Sequence, residues 1–156
     1  MKSLNPRSIE HPRRGAEYLY YLSHGLYRKK LYFLARVFKL INQFLFHVNI
    51  PPEVTIGRRL ELAHGGFGVI MHHDTVIGDD AIIFQNVTIG NGGARIGDRV
   101  YIGASAVIIG AVDIGNDATI GANAVVNFDI PHGGTAVGPK ARIVTSRKQT
   151  SESTDL

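Results

Sequence analysis

The sequence contains no cysteine among its 156 residues. This absence excludes disulfide bonds, thiolate metal sites and a cysteine acyl-enzyme intermediate. The sequence also lacks an uninterrupted apolar run of about eighteen residues, the length that a membrane span needs, because the only candidate is broken by Arg28, Lys29, Lys30, Arg36 and Lys39. Residues 1–14 are polar and charged and lack the apolar core of a secretory signal. We therefore expect a cytoplasmic protein without a transmembrane segment.

The charge is unevenly distributed along the chain. The net charge of +4 comes from the N-terminal stretch and from a basic closing part that contains Lys140, Arg142, Arg147 and Lys148. Basic ends favour a polyanionic ligand. The sequence has neither a nucleic-acid recognition motif nor interleaved aromatic and basic residues, so we expect a phosphorylated cofactor and no nucleic acid.

A six-residue repeat dominates the chain from Ile77 onward. Large aliphatic residues recur at Ile83 and Ile89 and then, after a shift of one residue, at Ile96, Ile102, Ile108, Ile114, Ile120 and Val126. A small or branched residue lies two positions earlier, and a glycine often follows. Helical periodicity and simple alternation both fit less well. The repeat predicts short strands stacked into a solenoid, with aliphatic residues inside and glycine giving the backbone its freedom at each bend.

Two segments depart from this repeat. Apolar residues at spacings of three and four predict two helices within residues 16–47, with a break near Gly25 and a packing face formed by Leu31, Leu34, Phe38, Ile41 and Leu45. The segment AHGGFGVIMHHD interrupts the stack where histidines concentrate. We expect a mainly β protein with a short N-terminal helical segment at 1–47, a β-helix at 48–145 and a polar tail at 146–156.

The repeat array resembles the bacterial hexapeptide-repeat acyltransferases. The segment FHVNIPPEVTIGRRLELAHGG followed by VIGDDAIIFQNVTIG is similar to the serine acetyltransferase branch, as is the ending TAVGPKARIV. The resemblance covers residues 46–144. It implies a left-handed parallel β-helix, an acetyl-CoA-dependent O-acetyltransferase, and a homotrimer with acetyl-CoA in the groove between two subunits.

The resemblance places the catalytic histidine at His64. Transfer of an acetyl group to an alcohol needs a base that removes the hydroxyl proton, and an imidazole suits this work. Asn49 stands where the serine enzymes have an aspartate that orients this histidine. An amide oxygen accepts the ring N–H but does not supply the negative charge.

Small residues at the bends are the predicted contacts for the pantetheine arm of the co-substrate, because they let it lie against backbone amides: Gly103, Ala104, Gly121 and Ala122. Lys140 and Arg142 follow in the closing segment, where basic side chains suit the phosphates of CoA.

His72 is a predicted substrate-binding or orienting residue. Neighbouring residues on a strand point to opposite faces, so we do not expect His72 and His73 to chelate a metal. No metal is expected in this protein.

Two departures from the serine enzymes bear on the acceptor. Ala63 replaces an aspartate used in substrate binding, and the loop that carries a second histidine is reduced to residues 91–94. We therefore expect the acceptor to be a saccharide or sugar nucleotide in surface polysaccharide synthesis, held by Gln85, Asn86 and Asn91. A serine O-acetyltransferase in cysteine synthesis and a non-catalytic trimeric scaffold are the alternatives.

A peripheral membrane contact through the N-terminal helices is a further alternative. Arg28, Lys29 and Lys30 lie in sequence beside a group of tyrosines, Tyr18, Tyr20, Tyr21 and Tyr27. Basic and aromatic residues on a helix are typical of segments that lie in a membrane interface.

Overall fold

The computed structural model describes residues 15–140 as two helices followed by a three-sided parallel β-helix. Helix α1 spans Gly15–Arg28 and helix α2 spans Tyr32–Phe46. The strands are β1 Thr55–Ile56, β2 Glu61–Leu62, β3 Ile70–Met71, β4 Val76–Ile77, β5 Ile82–Ile83, β6 Thr88–Ile89, β7 Arg95–Ile96, β8 Tyr101–Ile102, β9 Val107–Ile108, β10 Asp113–Ile114, β11 Thr119–Ile120, β12 Val125–Val126 and β13 Thr135–Ala136. The predicted mainly β architecture is confirmed.

The strands form three parallel sheets, which are the three faces of the β-helix. Sheet 1 contains β1, β4, β7 and β10, sheet 2 contains β2, β5, β8, β11 and β13, and sheet 3 contains β3, β6, β9 and β12. Each coil of the chain passes through the three sheets in turn. Residues one coil apart therefore become neighbours, as in the pairings of Ile83 with Ile102 and of Ile89 with Ile108.

The core is the stack of aliphatic residues that the repeat predicts. Ile83, Ile102, Ile108 and Ile120 are fully buried, and the small residues two positions before them are buried as well. Each coil thus covers the apolar side chains of the coils above and below it, which is how a solenoid excludes water from its interior. The predicted set of inward-facing residues is confirmed.

The glycines of the repeat have a different function from the predicted one. The left-handed bend residues are not these glycines but the residues two positions later, such as Arg99 at φ 54°. A Cβ at Gly97 would lie 2.7 Å from the backbone nitrogen of Asn116, and one at Gly103 would lie 2.6 Å from that of Ala122. At these two positions glycine is required because consecutive coils approach too closely for a side chain.

Helix α1 caps the open end of the first coil. The Tyr20 hydroxyl donates to the carbonyl oxygen of Val54 at 2.8 Å and accepts from the amide nitrogen of Ile56 at 3.1 Å. A carboxylate oxygen of Glu17 accepts from the amide nitrogen of Leu62 at 2.9 Å. Backbone groups that have no preceding coil to pair with are satisfied in this way, as the exposed edge of a sheet requires.

Two of the tyrosines in the membrane alternative belong to this cap. Tyr20 is buried against the first coil, and Tyr21 donates its hydroxyl hydrogen to the carbonyl oxygen of Gly57 at 2.6 Å. Burial raises the pKa of the Tyr20 hydroxyl, so this group stays a neutral donor. Neither side chain is presented to a membrane.

The break between the helices lies at residues 29–31, and the prediction of a break near Gly25 is wrong. Lys30 adopts a left-handed conformation at φ 61°. Its amide donates to the carbonyl oxygen of Tyr27, and the amide of Leu31 donates to that of Leu26. This is the Schellman pattern of helix termination, and Gly25 lies inside α1.

Helix α2 packs on α1 through a face that differs from the predicted one. Its buried residues are Ala35 and Asn42, and the Asn42 side chain donates to the carbonyl oxygen of Ala16 at 3.0 Å. Leu34, Ile41 and Leu45 of the predicted packing stripe are exposed. The stripe therefore does not pack on the β-helix within one chain.

The cap should be measurable through the Tyr20 hydroxyl. Tyr20→Phe leaves the Val54 carbonyl and the Ile56 amide buried without their shared partner, which costs about 1 to 3 kcal/mol of unfolding free energy. Tyr18→Phe is the matched control, because Tyr18 is 60% exposed on the same helix. Urea unfolding monitored by circular dichroism compares the variants. Equal stability of the two would contradict the capping role.

Candidate functional site

One edge of the β-helix, between sheets 2 and 3, collects most of the predicted site residues. It carries the turn Ala63–Gly66, the pair 85–86 in the next coil, the pair 104–105 in the third and the pair 122–123 in the fourth. Backbone hydrogen bonds join them: Asn86 donates to Phe67, Ser105 to Gln85, and Asn123 to Ala104. We call this column the His64 edge.

His64 projects from a left-handed turn at one end of this edge. It has φ 55° and ψ 27°, and Gly65 and Gly66 continue with φ 76° and 71°. A Cβ at Gly66 would lie 2.9 Å from Cδ1 of Leu62. The two glycines thus allow a tight reversal of the chain at this point. His64 adopts a backbone conformation that is unfavourable for a residue with a side chain. Such strain clusters at functional sites.

The His64 ring lies against a short row of aromatic side chains on sheet 2. Its centroid is 5.8 Å from that of Phe84 with the rings edge to face, and Phe84 is 5.1 Å from Tyr101. Neither residue is among the predicted site residues. The signal was present in the repeat, because Phe84 and Tyr101 flank the paired core residues Ile83 and Ile102. Aligning the coils would have placed the two rings together.

Asn49 begins sheet 3 beside this turn. It pairs with Ile70 in a parallel bridge, donating its amide to Val69 and accepting from Met71 through the backbone. Among residues 15–140 no hydrogen bond joins its side chain to His64. The orienting role of Asn49 stays a prediction.

The other predicted polar residues divide between two edges. Gln85 and Asn86 lie on the His64 edge, and Oε1 of Gln85 is buried without a hydrogen-bond partner in the described part of the chain. Asn91 lies instead between sheets 3 and 1, where its carbonyl oxygen accepts from the amide of Gly110 at 2.8 Å. His72 precedes it by one coil. Within one subunit, therefore, His72 and Asn91 belong to a second edge.

His72 and His73 lie close together, contrary to the prediction that they point to opposite faces. Their ring centroids are 4.0 Å apart, and Asp74 Oδ2 lies 3.4 Å from Nε2 of His73. The prediction assumed a strand, but β3 ends at Met71 and the histidines occupy the turn that follows. One ligand atom from each of His72, His73 and Asp74 lies within 4.8 Å of the others. The expectation of no metal stays untested.

The predicted CoA contacts fall on the His64 edge as far as they are described. Gly103, Ala104, Gly121 and Ala122 follow β8 and β11 at the corner below Gln85. Lys140 is exposed at the end of the described residues. Arg142 and the tail 146–156 lie outside them.

Comparison with known proteins decides the family. Residues 93–127 match the family described as bacterial transferase hexapeptide (six repeats). The serine acetyltransferase of Helicobacter pylori strain ATCC 700392 / 26695 is 42% identical over 133 residues, which are 81% of this chain and 77% of that protein. The chain belongs to the serine acetyltransferase family.

Solved members of the family share the fold. Soybean serine acetyltransferase complexed with serine has a TM-score of 0.75 at 34% identity, over 83% of this chain and 56% of that one. A serine acetyltransferase in complex with CoA has a TM-score of 0.75 at 34% identity, over 83% and 55%. This chain thus spans little more than half the length of the solved relatives. The predicted left-handed β-helix and acyltransferase class are confirmed.

The expectation of a saccharide acceptor is wrong. Relatives that match four-fifths of this chain are named serine acetyltransferases, which favours the alternative acceptor. The prediction rested on Ala63 and on the shortened loop at 91–94. Both are local losses of a charged group, and local losses do not identify a new acceptor when the rest of the chain follows the serine enzymes.

The His64 turn gives a test that separates backbone conformation from steric contact. Gly65→Ala and Gly66→Ala both place a side chain at positive φ, which costs about 1 to 2 kcal/mol. Only Gly66→Ala adds a contact with Leu62, since the space around Gly65 is open. We expect Gly66→Ala to lower the unfolding free energy by about 1 to 3 kcal/mol more than Gly65→Ala. Urea unfolding measures both, and equal losses would contradict the described turn.

Proposed function

We propose that this protein transfers the acetyl group of acetyl-CoA to the hydroxyl of L-serine, with His64 as the general base. The observation that carries the proposal is the exposed imidazole on a strained turn at the head of an edge lined by small residues. Membership of the serine acetyltransferase family supports L-serine as the acceptor and acetyl-CoA as the donor. The CoA complex of a solved relative supports acetyl-CoA as the donor.

The reaction requires one proton to be moved twice. The His64 imidazole removes the hydroxyl proton of serine as the oxygen attacks the thioester carbonyl. A C–O bond forms and the C–S bond breaks. The departing thiolate then takes the proton from the imidazolium, so that O-acetylserine and CoA leave with no net change in protons.

The row of rings contributes by limiting the motion of His64. Phe84 contacts the imidazole edge to face, and Tyr101 packs behind Phe84. Such aromatic contacts are worth about 0.5 to 1.5 kcal/mol beyond the area they bury. Asn49 contributes no charge, so the rings support an imidazole that lacks the carboxylate partner of the relatives.

Serine must be held without a carboxylate at position 63. Gln85 lies in the adjacent coil of the His64 edge, and its Oε1 is buried without a hydrogen-bond partner among the described residues. A buried unpaired acceptor is costly, and an ammonium group entering the corner would satisfy it. Gln85 is therefore our candidate for binding the serine amino group, with Asn86 beside it.

The donor would lie along the same edge. The small side chains of Ala104 and Ala122 leave space beside the backbone of this corner for the pantetheine arm. The exposed Lys140, which follows β13, is our candidate for contacting the phosphates of CoA. A cytoplasmic location stays a prediction.

A homotrimer is part of the proposal. Sheet 3 borders both the His64 edge and the edge that carries His72 and Asn91. Its outer face exposes Ile70, Ile109 and Val125. Association through this face would bury those apolar residues and bring the His64 edge of one subunit toward the second edge of its neighbour.

The activity is tested with acetyl-CoA and L-serine by following thiol release. His64→Ala should lower kcat by roughly 10² to 10⁴ with little change in the KM for acetyl-CoA. His132→Ala is the control, because His132 is exposed on the edge between sheets 1 and 2. No thiol release with L-serine would overturn the proposed acceptor. A His64→Ala enzyme within a few-fold of wild type would overturn the base.

The trimer is tested by light scattering at micromolar concentration. Three times the chain mass of 17.0 kDa, or a multiple of that, is the expected result. Val125→Asp should dissociate the assembly, because it places a charge on the outer face of sheet 3. A monomeric wild-type protein would contradict the assembly and the shared site.

A further inference from the structure

Helix α2 buries small and polar residues and exposes large apolar ones, which is the reverse of the usual arrangement in a water-soluble protein. It buries the small Ala35 and the amide Asn42 against α1. Its outer ridge is formed by Phe33, Leu40 and Phe44, which are 79%, 59% and 83% exposed. Their spacings of seven and four place these three side chains on one face. A contiguous apolar face of this kind marks an interaction site.

The charges of α2 and of the residues before it have one sign, and Glu53 lies at one margin of the face, in a groove with Leu40. No aspartate or glutamate occurs between Glu17 and Glu53, whereas this stretch holds five basic residues: Arg28, Lys29, Lys30, Arg36 and Lys39. Three of them are consecutive, Arg28 at the end of α1 and Lys29 and Lys30 directly after it, and we call these three the basic connection. Leu31 and Tyr32 follow directly and are exposed as well. Basic and apolar groups are thus presented together at one end of the helix pair.

We propose that the outer face of α2 and the basic connection at residues 28–30 bind the surface of an anionic lipid bilayer. The phenylalanines and leucines enter the boundary between headgroups and acyl chains, while the basic side chains contact lipid phosphates. The absence of carboxylates between Glu17 and Glu53 confines the repulsion from an anionic surface to the margin at Glu53.

Charge complementarity favours a bilayer over a two-fold pairing of this face with itself. Such a pairing would place the same surface on both sides. The basic groups at its margin would then face each other without carboxylates in this stretch to offset them. An anionic bilayer supplies the missing charge and the missing apolar contact together.

The helix lies on the membrane and does not cross it. At about 1.5 Å per residue, its 15 residues are shorter than the hydrocarbon core that a spanning helix must cross. No helix within residues 15–140 has the length and apolarity for a span. Leu40 of this face borders a groove that is also lined by Pro51, Pro52 and His73, on the edge between sheets 3 and 1. The His64 edge lies between sheets 2 and 3, so the contact leaves it uncovered.

Vesicle co-sedimentation of the full chain tests the proposal. Vesicles of equimolar phosphatidylcholine and phosphatidylglycerol should sediment the protein, and pure phosphatidylcholine should do so about tenfold less. Phe33→Ser combined with Phe44→Ser should reduce binding about tenfold or more. Phe128→Ser is the matched control, because Phe128 is a 55% exposed phenylalanine of the β-helix. Thermal melts of all variants confirm that they are folded.

A second variant tests the contribution of the basic connection to vesicle binding. Replacing Arg28, Lys29 and Lys30 together by glutamine should weaken binding to the anionic vesicles by roughly a hundredfold and should leave the unfolding temperature unchanged. Thiol release with L-serine in lipid-free solution should also be unchanged, since the contact does not depend on the proposed acetyl transfer.

Two results would overturn the proposal. One is a wild-type protein that binds anionic vesicles no better than neutral ones, or that loses binding equally through Phe128→Ser. The other is a wild-type protein that does not bind vesicles, together with a Phe33→Ser, Phe44→Ser variant whose particle mass in lipid-free solution is lower than that of the wild type. That result would assign the face to a second copy of the chain.

Discussion

The close approach of consecutive coils governs this structure. Backbone amides and carbonyls of one coil bond to those of the next in all three sheets, and at the corners the backbones nearly touch. A Cβ at Gly115 would lie 2.5 Å from the backbone nitrogen of His132. The six-residue period, the glycine that often follows a core residue and the small or branched residue two positions before it all follow from this spacing. A stack of this kind also leaves an unpaired end, which α1 covers with Glu17, Tyr20 and Tyr21.

The proposed active site lies where the regular stack is relaxed. The sheet 1 to sheet 2 edge is regular, and side chains hold it: Oδ1 of Asp98 accepts from the amide of Asp79, and Oδ1 of Asn116 accepts from that of Asp98, both at 2.8 Å. The other two edges carry extra residues at the turns that follow β2 and β6. Those turns present His64 and Asn91. A rigid scaffold with irregular corners is an arrangement that positions reactive groups precisely enough for catalysis.

The repeat made the fold predictable, because a fixed period directly reports which residues face inward. His64 was predictable through the resemblance alone. The ring contacts of His64 with Phe84 were missed because they join residues one coil apart, and coil alignment depends on insertion lengths. The glycine function was mispredicted because close approach of two backbones leaves no mark in local sequence. The acceptor was mispredicted because the loss of one carboxylate at position 63 was given more weight than the match of the whole chain.

The sequence pattern also did not predict that α2 exposes its large apolar residues. Its residues are apolar at helical spacings on several sides, so the periodicity identified a helix without saying which face is buried. The hydrogen bonds of Ser23 to Ala35 and of Asn42 to Ala16 decide this, since they fix the small side of α2 against α1.

The central claim is that the interrupted first coil places His64 for acetyl transfer along the edge between sheets 2 and 3. A crystal structure of the protein with CoA and L-serine tests it most directly. The account predicts the serine hydroxyl within hydrogen-bond reach of the His64 imidazole, at about 2.6 to 3.2 Å, and the pantetheine arm along Ala104 and Ala122. Ligands bound at another edge, with His64 facing solvent, would contradict it.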